Sequence, residues 1–410
     1  MLNTFDSGGG AARSAYRLHQ GLLRKGVVSH FVSQYNKSTD PEIICGTGRI
    51  DKLIALLRPI ADAIPVNLHP QRDKRKPFST AYVPVAQRVR KAAVEADIIH
   101  LHWVTHGFVN IPFLTKARRP VVWTLHDSWP FTGGCHLPGE CHRYRDACGF
   151  CPQLGSSREW DLTRLNWQRK MRAWKDSNMV VVAPSNWLAE CARSSSLFLG
   201  HRVEVIPNGI DIEVFKPLDR SQCRNILNLP QNKNLILFGA MGALSDENKG
   251  FELLRQAVAT LPKQVAGKEN MLVVFGARPT QLPDLNVEVH FMGTMTDDIA
   301  LSVLYASADV MVVPSKQENL PNTIMEAMAC GTPVVAFHTG GIPDLIEHQH
   351  SGYLASAFDI EDLARGITCL IKENDHANTF RMRCRQKVER EFALDLVSSR
   401  YIELYSELVG

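Results

Sequence analysis

Two glutamates, Glu318 and Glu326, bracket the run Glu-Asn-Leu-Pro-Asn-Thr-Ile-Met-Glu. The run follows the apolar stretch Asp309-Val-Met-Val-Val-Pro314 and precedes Gly331-Thr-Pro-Val-Val. Pro321 predicts a helix start, because its fixed φ suits a first turn and its missing N–H is not needed there. One carboxylate then lies in the loop ahead of the helix, and the other lies one or two turns inside it. The first amides of such a helix, those of Asn322 and Thr323, attract phosphate. Carboxylates around an anion-binding helix start suit a ligand with both hydroxyls and phosphates, such as a sugar nucleotide. The plainer reading is an acidic pair on a surface helix.

The Glu-x7-Glu spacing, the Gly-Thr-Pro-Val-Val strand start and Gly340-Gly-Ile-Pro-Asp344 resemble the retaining, GT-B-fold glycosyltransferases of family 4 (glycosyl transferases group 1). Within that family the chain looks most like bacterial exopolysaccharide enzymes of the colanic-acid type, and the resemblance covers nearly its whole length. The resemblance implies roles. Glu318 is the carboxylate nearest the donor sugar, with Asn319 and Leu320 beside it. Glu326 holds the nucleotide ribose hydroxyls, and Asn322 and Thr323 face the phosphates. The backbone at Gly293, in Phe291-Met-Gly-Thr294, frames the base. His126 corresponds to the family histidine that touches the donor sugar. Gly9 and Gly10, in Gly8-Gly-Gly10, form the loop near donor phosphate and acceptor; three glycines alone equally make a tight turn.

Lys249, in Asp246-Glu-Asn-Lys-Gly250, would set a point charge against a diphosphate and offset charge on the leaving group. The family usually carries an arginine six residues earlier. Here that position is Ala243, so a phosphate contact is missing or supplied elsewhere. His126 ends the strand-like Val121-Val-Trp-Thr-Leu-His-Asp127, and ligands of open parallel sheets bind beyond the carboxyl ends of strands. Asp127, His102 and Trp129 are expected on the acceptor side, Asp127 either orienting His126 or facing the acceptor. Of His100 and His102, one is expected only to pack.

Cys135, Cys141, Cys148 and Cys151 fall in one loop, together with His136 and His142. A Cys-x2-Cys knuckle with two further thiols can give tetrahedral thiolate coordination of a structural zinc. Free or disulfide-paired thiols are the alternative. No catalytic metal is expected.

The elements that must position these residues follow from pattern. A chain of 410 residues exceeds what one core usually serves. Strands are predicted at 27–32, 97–101, 120–125 and 179–183, with helices at 11–25, 162–177 and 186–193. A second alternating set follows, with strands at 234–239, 271–275, 287–292 and 310–313 and helices at 249–261, 296–307 and 323–330. Such alternation predicts parallel sheets covered on both faces. The fold class is α/β. The resemblance makes it GT-B: two facing Rossmann-like domains with a cleft between, and a C-terminal helix crossing back. The boundaries are an acceptor-side domain at 1–209 with the Cys-rich loop at 133–155, a nucleotide-sugar domain at 210–390, and a returning helix at 391–410. The first strand, ahead of Gly8, is expected to be short, or the recorded start late.

A net charge of +4 is too weak to imply nucleic acid. No run approaches the ~20 apolar residues of a bilayer span. Met1-Leu-Asn-Thr-Phe-Asp lacks a signal-peptide pattern, and ten cysteines without a signal argue for a reducing cytoplasm. The basic, partly apolar stretch from Ile50 to Lys76 is suited either to peripheral contact with the inner membrane, near a lipid-linked acceptor, or to an ordinary amphipathic helix and solvated loop.

The expected function is transfer of a sugar from a nucleotide sugar to an acceptor hydroxyl of a glycan, with retention. With no obvious nucleophile, a same-face displacement is preferred to a covalent intermediate. The alternatives are a nucleotide-sugar epimerase of the same architecture and a non-catalytic sugar-nucleotide-binding subunit.

Overall fold

The computed structural model describes residues 1–36, 40–116, 119–280, 282, 285–377 and 379–410. The chain divides into two compact units: residues 1–207 with 398–410, and residues 208–397.

Unit 1 is built on a parallel sheet of seven strands: β1 (Leu2–Phe5), β2 (Phe31–Tyr35), β3 (Ile43–Ile44), β4 (Ile99–Leu101), β5 (Val121–Thr124), β6 (Met179–Ala183) and β7 (Arg202–Val205). Their order is β3-β2-β1-β4-β5-β6-β7. The helices are α1 (Gly10–Arg24), α2 (Arg49–Asn67), α3 (Gln87–Glu95), α4 (Leu162–Trp174) and α5 (Asn186–Arg193). Strand β6 reads Met-Val-Val-Val-Ala and is buried throughout, as a central strand covered on both faces must be. Helix starts follow local chemistry: Asp161 accepts from the amides of Thr163 and Arg164 at α4, and Ser185 from Leu188 at α5. Strand β2 starts at Phe31 rather than at residue 27. Gly26 ends α1 in the left-handed region and Val28 is left exposed, so pairing begins only where Phe31 turns inward.

Unit 2 carries a second seven-stranded sheet: β8 (Lys233–Gly239), β9 (Gln264–Val265), β10 (Lys268–Phe275), β11 (Glu288–Gly293), β12 (Val310–Val313), β13 (Val334–Phe337) and β14 (Gly352–Ala355). The order is β11-β10-β8-β12-β13-β14, parallel, with β9 antiparallel to β10. Its helices are α6 (Arg220–Ile226), α7 (Phe251–Ala259), α8 (Asp298–Ser307), α9 (Asn322–Ala329), α10 (Ile342–Leu345), α11 (Ile360–Ala377) and α12 (Thr379–Glu391). Successive residues of β8 feed opposite cores. Leu235 and Leu237 join the cluster with Tyr305 and Ile324, whereas Ile236 and Phe238 join the one with Leu254 and Leu363. Buried Asp309 ties the sheet's entry: it accepts from the Leu235 amide at 2.6 Å and pairs with Arg224 at 2.6 Å. The last helix, α13 (Leu394–Val409), leaves unit 2 after Val397 and packs in unit 1 through Tyr401 and Leu404.

Candidate active site

Strands β8 and β12 are neighbours and parallel, so their carboxyl ends open at one edge of unit 2. Two loops leave there, and backbone bonds join them. The Lys316 amide donates to the Asn248 carbonyl at 2.8 Å, and the Asn248 side chain donates to the Gln317 carbonyl at 2.8 Å. Close approach is possible because Gly250 sits at φ +70, where a Cβ would fall 1.9 Å from the Pro314 carbonyl oxygen. Gly340 closes the other side, its missing Cβ 2.0 Å from the Glu318 carbonyl oxygen. The result is a contact between Lys249 Nζ and Glu318 Oε1 at 2.6 Å. The charge of Glu318, opposed by burial, raises the Lys249 pKa. A small cleft lies beside this pair, lined also by Gly239, Ser315 and Thr323. A larger surface depression near Leu261, Glu361 and Arg365 touches none of these residues.

Helix α9 starts at Asn322, with Pro321 in the extended position just before it and no side chain capping it. Pro321 therefore ends the loop instead of opening the first turn. Asn322 Oδ1 accepts from Asn208 at 3.4 Å, Asn319 is half-buried and Leu320 is buried. Glu326 is fully buried and accepts from the Tyr305 hydroxyl at 2.8 Å. Gly293 ends β11 at φ +70, and its carbonyl accepts from the Gly276 amide at 2.8 Å.

In unit 1, Gly8 and Gly9 take φ +80 and +89 between β1 and α1, and Gly9 caps α1 without a side chain. His126 follows β5 and shares a 3.0 Å hydrogen bond with His102 Nδ1. His102 is buried, and its Nε2 has no partner among the described residues. His100 instead bonds the Tyr405 hydroxyl of α13 at 2.6 Å and Thr124 at 2.8 Å, so it is the packing member of the pair.

A glycosyltransferase family 4 pattern matches residues 8–214, half of the chain. The chain belongs to glycosyltransferase family 4. A glycosyl transferases group 1 pattern matches residues 235–373. The putative colanic acid biosynthesis glycosyl transferase WcaC of Escherichia coli is 26% identical over 359 residues, 83% of this chain and 82% of that protein. A D-inositol 3-phosphate glycosyltransferase of Mycobacterium marinum is 33% identical over a shorter part, 42% of this chain and 38% of that protein. Two solved structures share the fold over 99% of this chain. Sucrose-phosphate synthase of Thermosynechococcus elongatus has a TM-score of 0.69 at 22% identity, with 95% of its own chain covered. Anabaena HepE, solved with UDP, has a TM-score of 0.64 at 19% identity, with 99% of its own chain covered. The fold is GT-B.

Two placements in this glycosyltransferase differ from the sequence reading. Asp127 does not orient His126. It accepts from His136 Nδ1 at 2.6 Å, from Trp103 Nε1 at 2.6 Å and from the Trp129 amide at 2.8 Å. Burial raises its pKa, but His136 and these donors carry it below the ordinary carboxylate range. His136, which also meets Ser79 Oγ at 3.0 Å, is the residue that spacing missed. Trp129 is 2% exposed and packs against Trp123 and Trp174, which leaves no face for an acceptor. Ala243 is fully buried in an apolar cluster, so this position presents nothing to a phosphate.

The Cys-rich loop packs on Phe78, which bridges to Cys135 and packs against the cluster of Val66, Cys151, Leu154 and Leu162. The Gly133 amide donates to Cys148 Sγ at 3.2 Å. All ten cysteines are free thiols. Burial pushes Cys148 up to about 12 and Cys151 up to about 11. Among the described residues, no group of three or more His, Cys, Asp or Glu side chains is arranged to hold a metal ion. Among them also, no helix is long and apolar enough to cross a membrane.

The histidines of unit 1 predict an acid response. Burial pushes His106 and His126 down to about 4 and holds His100 and His102 well below the ordinary value. Their contribution to stability is complete above the unfolded value of about 6.5 and is lost as pH falls toward 4, because the unfolded chain takes up protons the folded one refuses. By pH 5 the loss is about 1–2 kcal/mol per fully buried ring. Thermal melts from pH 7 to pH 5 check this. An unchanged midpoint would mean that these rings stay hydrated.

Proposed function

We propose that this family 4 glycosyltransferase moves a sugar from a nucleotide sugar to an acceptor hydroxyl with retention, in the assembly of exopolysaccharide or another cell-surface glycan. The Lys249–Glu318 contact carries the reading: a cation and a carboxylate at adjacent strand ends, just ahead of the α9 helix start. HepE, solved with UDP-glucose, and WcaC, a putative colanic acid biosynthesis glycosyl transferase, support the donor and glycan classes.

The diphosphate draws Lys249 toward itself and takes the amides of Asn322 and Thr323. Glu318, released from its cation, accepts hydrogen bonds from sugar hydroxyls and stabilises positive charge at the anomeric carbon. The ribose hydroxyls are assigned to Glu326, which is fully buried with its Oε2 on Tyr305, so this contact requires α9 to shift and uncover it; the base lies along Gly293. His126, neutral at pH 7, and the Gly9-Gly10 loop are the unit 1 residues that the family resemblance assigns to donor and acceptor. The departing phosphate oxygen takes the acceptor proton on the same face that the sugar is attacked. No catalytic metal is needed, since Lys249 and the helix amides carry the leaving-group charge. The proposed setting is the cytoplasm, with a glycan or lipid-linked glycan acceptor.

A thermal-shift panel of nucleoside diphosphates and their sugars tests the donor. A ligand at a hundred times its dissociation constant adds about 2.7 kcal/mol of stability. Free nucleoside diphosphate should then accumulate only with acceptor present. A nucleotide sugar converted without acceptor would point to epimerisation instead.

We propose in addition a structural zinc on Cys135, Cys141, Cys148 and Cys151, which requires the four thiols to draw together, since among the described residues they form no metal-holding group. The support is the Cys-x2-Cys spacing, the left-handed backbone at 148–150 and the amide donor on Cys148 Sγ. Elemental analysis of the purified chain should find zinc that a thiol-blocking mercurial releases. No zinc and four freely alkylated thiols would refute it.

A further inference from the structure

Helix α2 shows apolar side chains in two opposite directions. Ala55 and Val66 are buried, as is Asp62, whose carboxylate accepts from Thr80 Oγ1 at 3.1 Å and the Tyr82 amide at 3.0 Å. Arg58, on the adjoining flank, reaches Gln34 Oε1 at 3.1 Å and the Gly107 carbonyl at 2.7 Å. These contacts set the rotation of the helix, so its other face cannot turn inward. On that other face stand Ile50, Leu53, Leu57, Ile60, Ile64 and Leu68, each between 51 and 77% exposed. Their spacing of three or four residues makes one continuous stripe along the helix. Ile54 and Leu56 widen it. A surface helix normally shows polar residues there, and while one exposed leucine needs no explanation, a stripe does.

The charge beside the stripe has one sign. Exposed Arg49 and Lys52 open the helix. The turn that follows it holds Arg72, Lys74, Arg75 and Lys76, and Arg72 fastens this turn to the helix end by bonding Asn67 Oδ1 at 3.2 Å. Residues 49–76 contain seven Lys or Arg against three Asp, a surplus equal to the +4 of the entire chain. Of the three acids, Asp62 is buried and Asp73 is engaged by Arg75 at 3.3 Å.

We propose that α2 lies flat in the headgroup layer of an anionic bilayer, its outward stripe against the acyl chains and the 72–76 turn on lipid phosphates. Apolar stripe and basic flank together are the composition of an interfacial helix. A second copy of the chain is the poorer occupant. A symmetric pair through this stripe would set each basic turn against the other or, antiparallel, against the Arg49 and Lys52 end, and like charges repel. The docking would hold the enzyme where a lipid-linked acceptor lies, yet it does not depend on the transfer reaction.

The test floats the full-length chain with vesicles of phosphatidylglycerol and phosphatidylcholine, or of phosphatidylcholine alone, without donor or acceptor. The chain should float with the anionic vesicles and not with the neutral ones, and raised salt should weaken the binding. Leu57→Glu with Ile60→Glu should weaken it at least about tenfold, while the melting midpoint holds because both side chains face solvent. Lys74→Glu with Lys76→Glu should also release the chain. Failure of the wild-type chain to float, or undiminished flotation of the Leu57→Glu/Ile60→Glu variant, would overturn the proposal. So would a concentration-dependent dimer, formed without vesicles and dissolved by that same variant, because it would give the stripe to a second copy.

Discussion

Glu318→Gln is expected to lower the transfer rate by about a thousandfold, roughly 4 kcal/mol of transition-state stabilisation, and to leave nucleoside diphosphate binding in place. Glutamine keeps the shape and removes the charge. The carboxylate sits 2.6 Å from Lys249 Nζ, and its charge is the largest cause of that lysine's raised pKa. With glutamine there, the ammonium loses its counter-charge, and the sugar loses the only carboxylate that the proposed function gives it. Binding of the diphosphate should persist, because phosphate meets Lys249 and the α9 amides rather than Glu318. Lys249→Ala should reverse the pattern, with weaker diphosphate binding as well as slower transfer. The double variant should lose less than the sum, because the two side chains act on each other. Rates of nucleoside diphosphate release and thermal shifts with the same ligand separate the two effects. Transfer within tenfold of wild type in Glu318→Gln would remove this pair from the chemistry.

Gly250→Ala should cost roughly 2–4 kcal/mol of stability and most of the activity, although it adds a single methyl group and removes no functional side chain. About 1–2 kcal/mol comes from the left-handed backbone, which an L side chain resists. The remainder comes from the Pro314 carbonyl, 1.9 Å from the added Cβ. Backbone must move, and the strand end that moves carries Glu318 away from Lys249. Gly242→Ala is the matched control. Its φ is also +70, but its nearest neighbour is Ser245 Oγ at 3.3 Å, so it should pay the backbone term and little else. Urea melts of both variants, read beside their transfer rates, make the comparison. Equal small losses would show that the loops can part without harm.

How much of this was legible beforehand depended on whether the cause was local. Strand β6 and helix α5 lie where their apolar patterns put them, because the residues that bury a strand or cap a helix are in the segment itself. Lys249 and Glu318 were each named as site residues, but their 2.6 Å contact needed two loops to converge across 69 residues. The valines at 27 and 28 read as a strand start, but Gly26 turns the chain and leaves Val28 outside, so β2 begins later.

From the sequence alone came the alternation of elements, the carboxylate pair around a helix start and the family, since periodicity, turn residues and spacing act over a few positions. Tertiary structure alone decided which partner each polar group took. Asp127 binds His136 and not its neighbour His126 because Phe78 pairs with Cys135 and brings Ser79 and His136 together. It also decided which way α2 faces, because buried Asp62 and inward Arg58 find their acceptors and donors on other elements. A hydrogen-bond partner is chosen by proximity in space, and the spacing of residues along a chain carries no record of that.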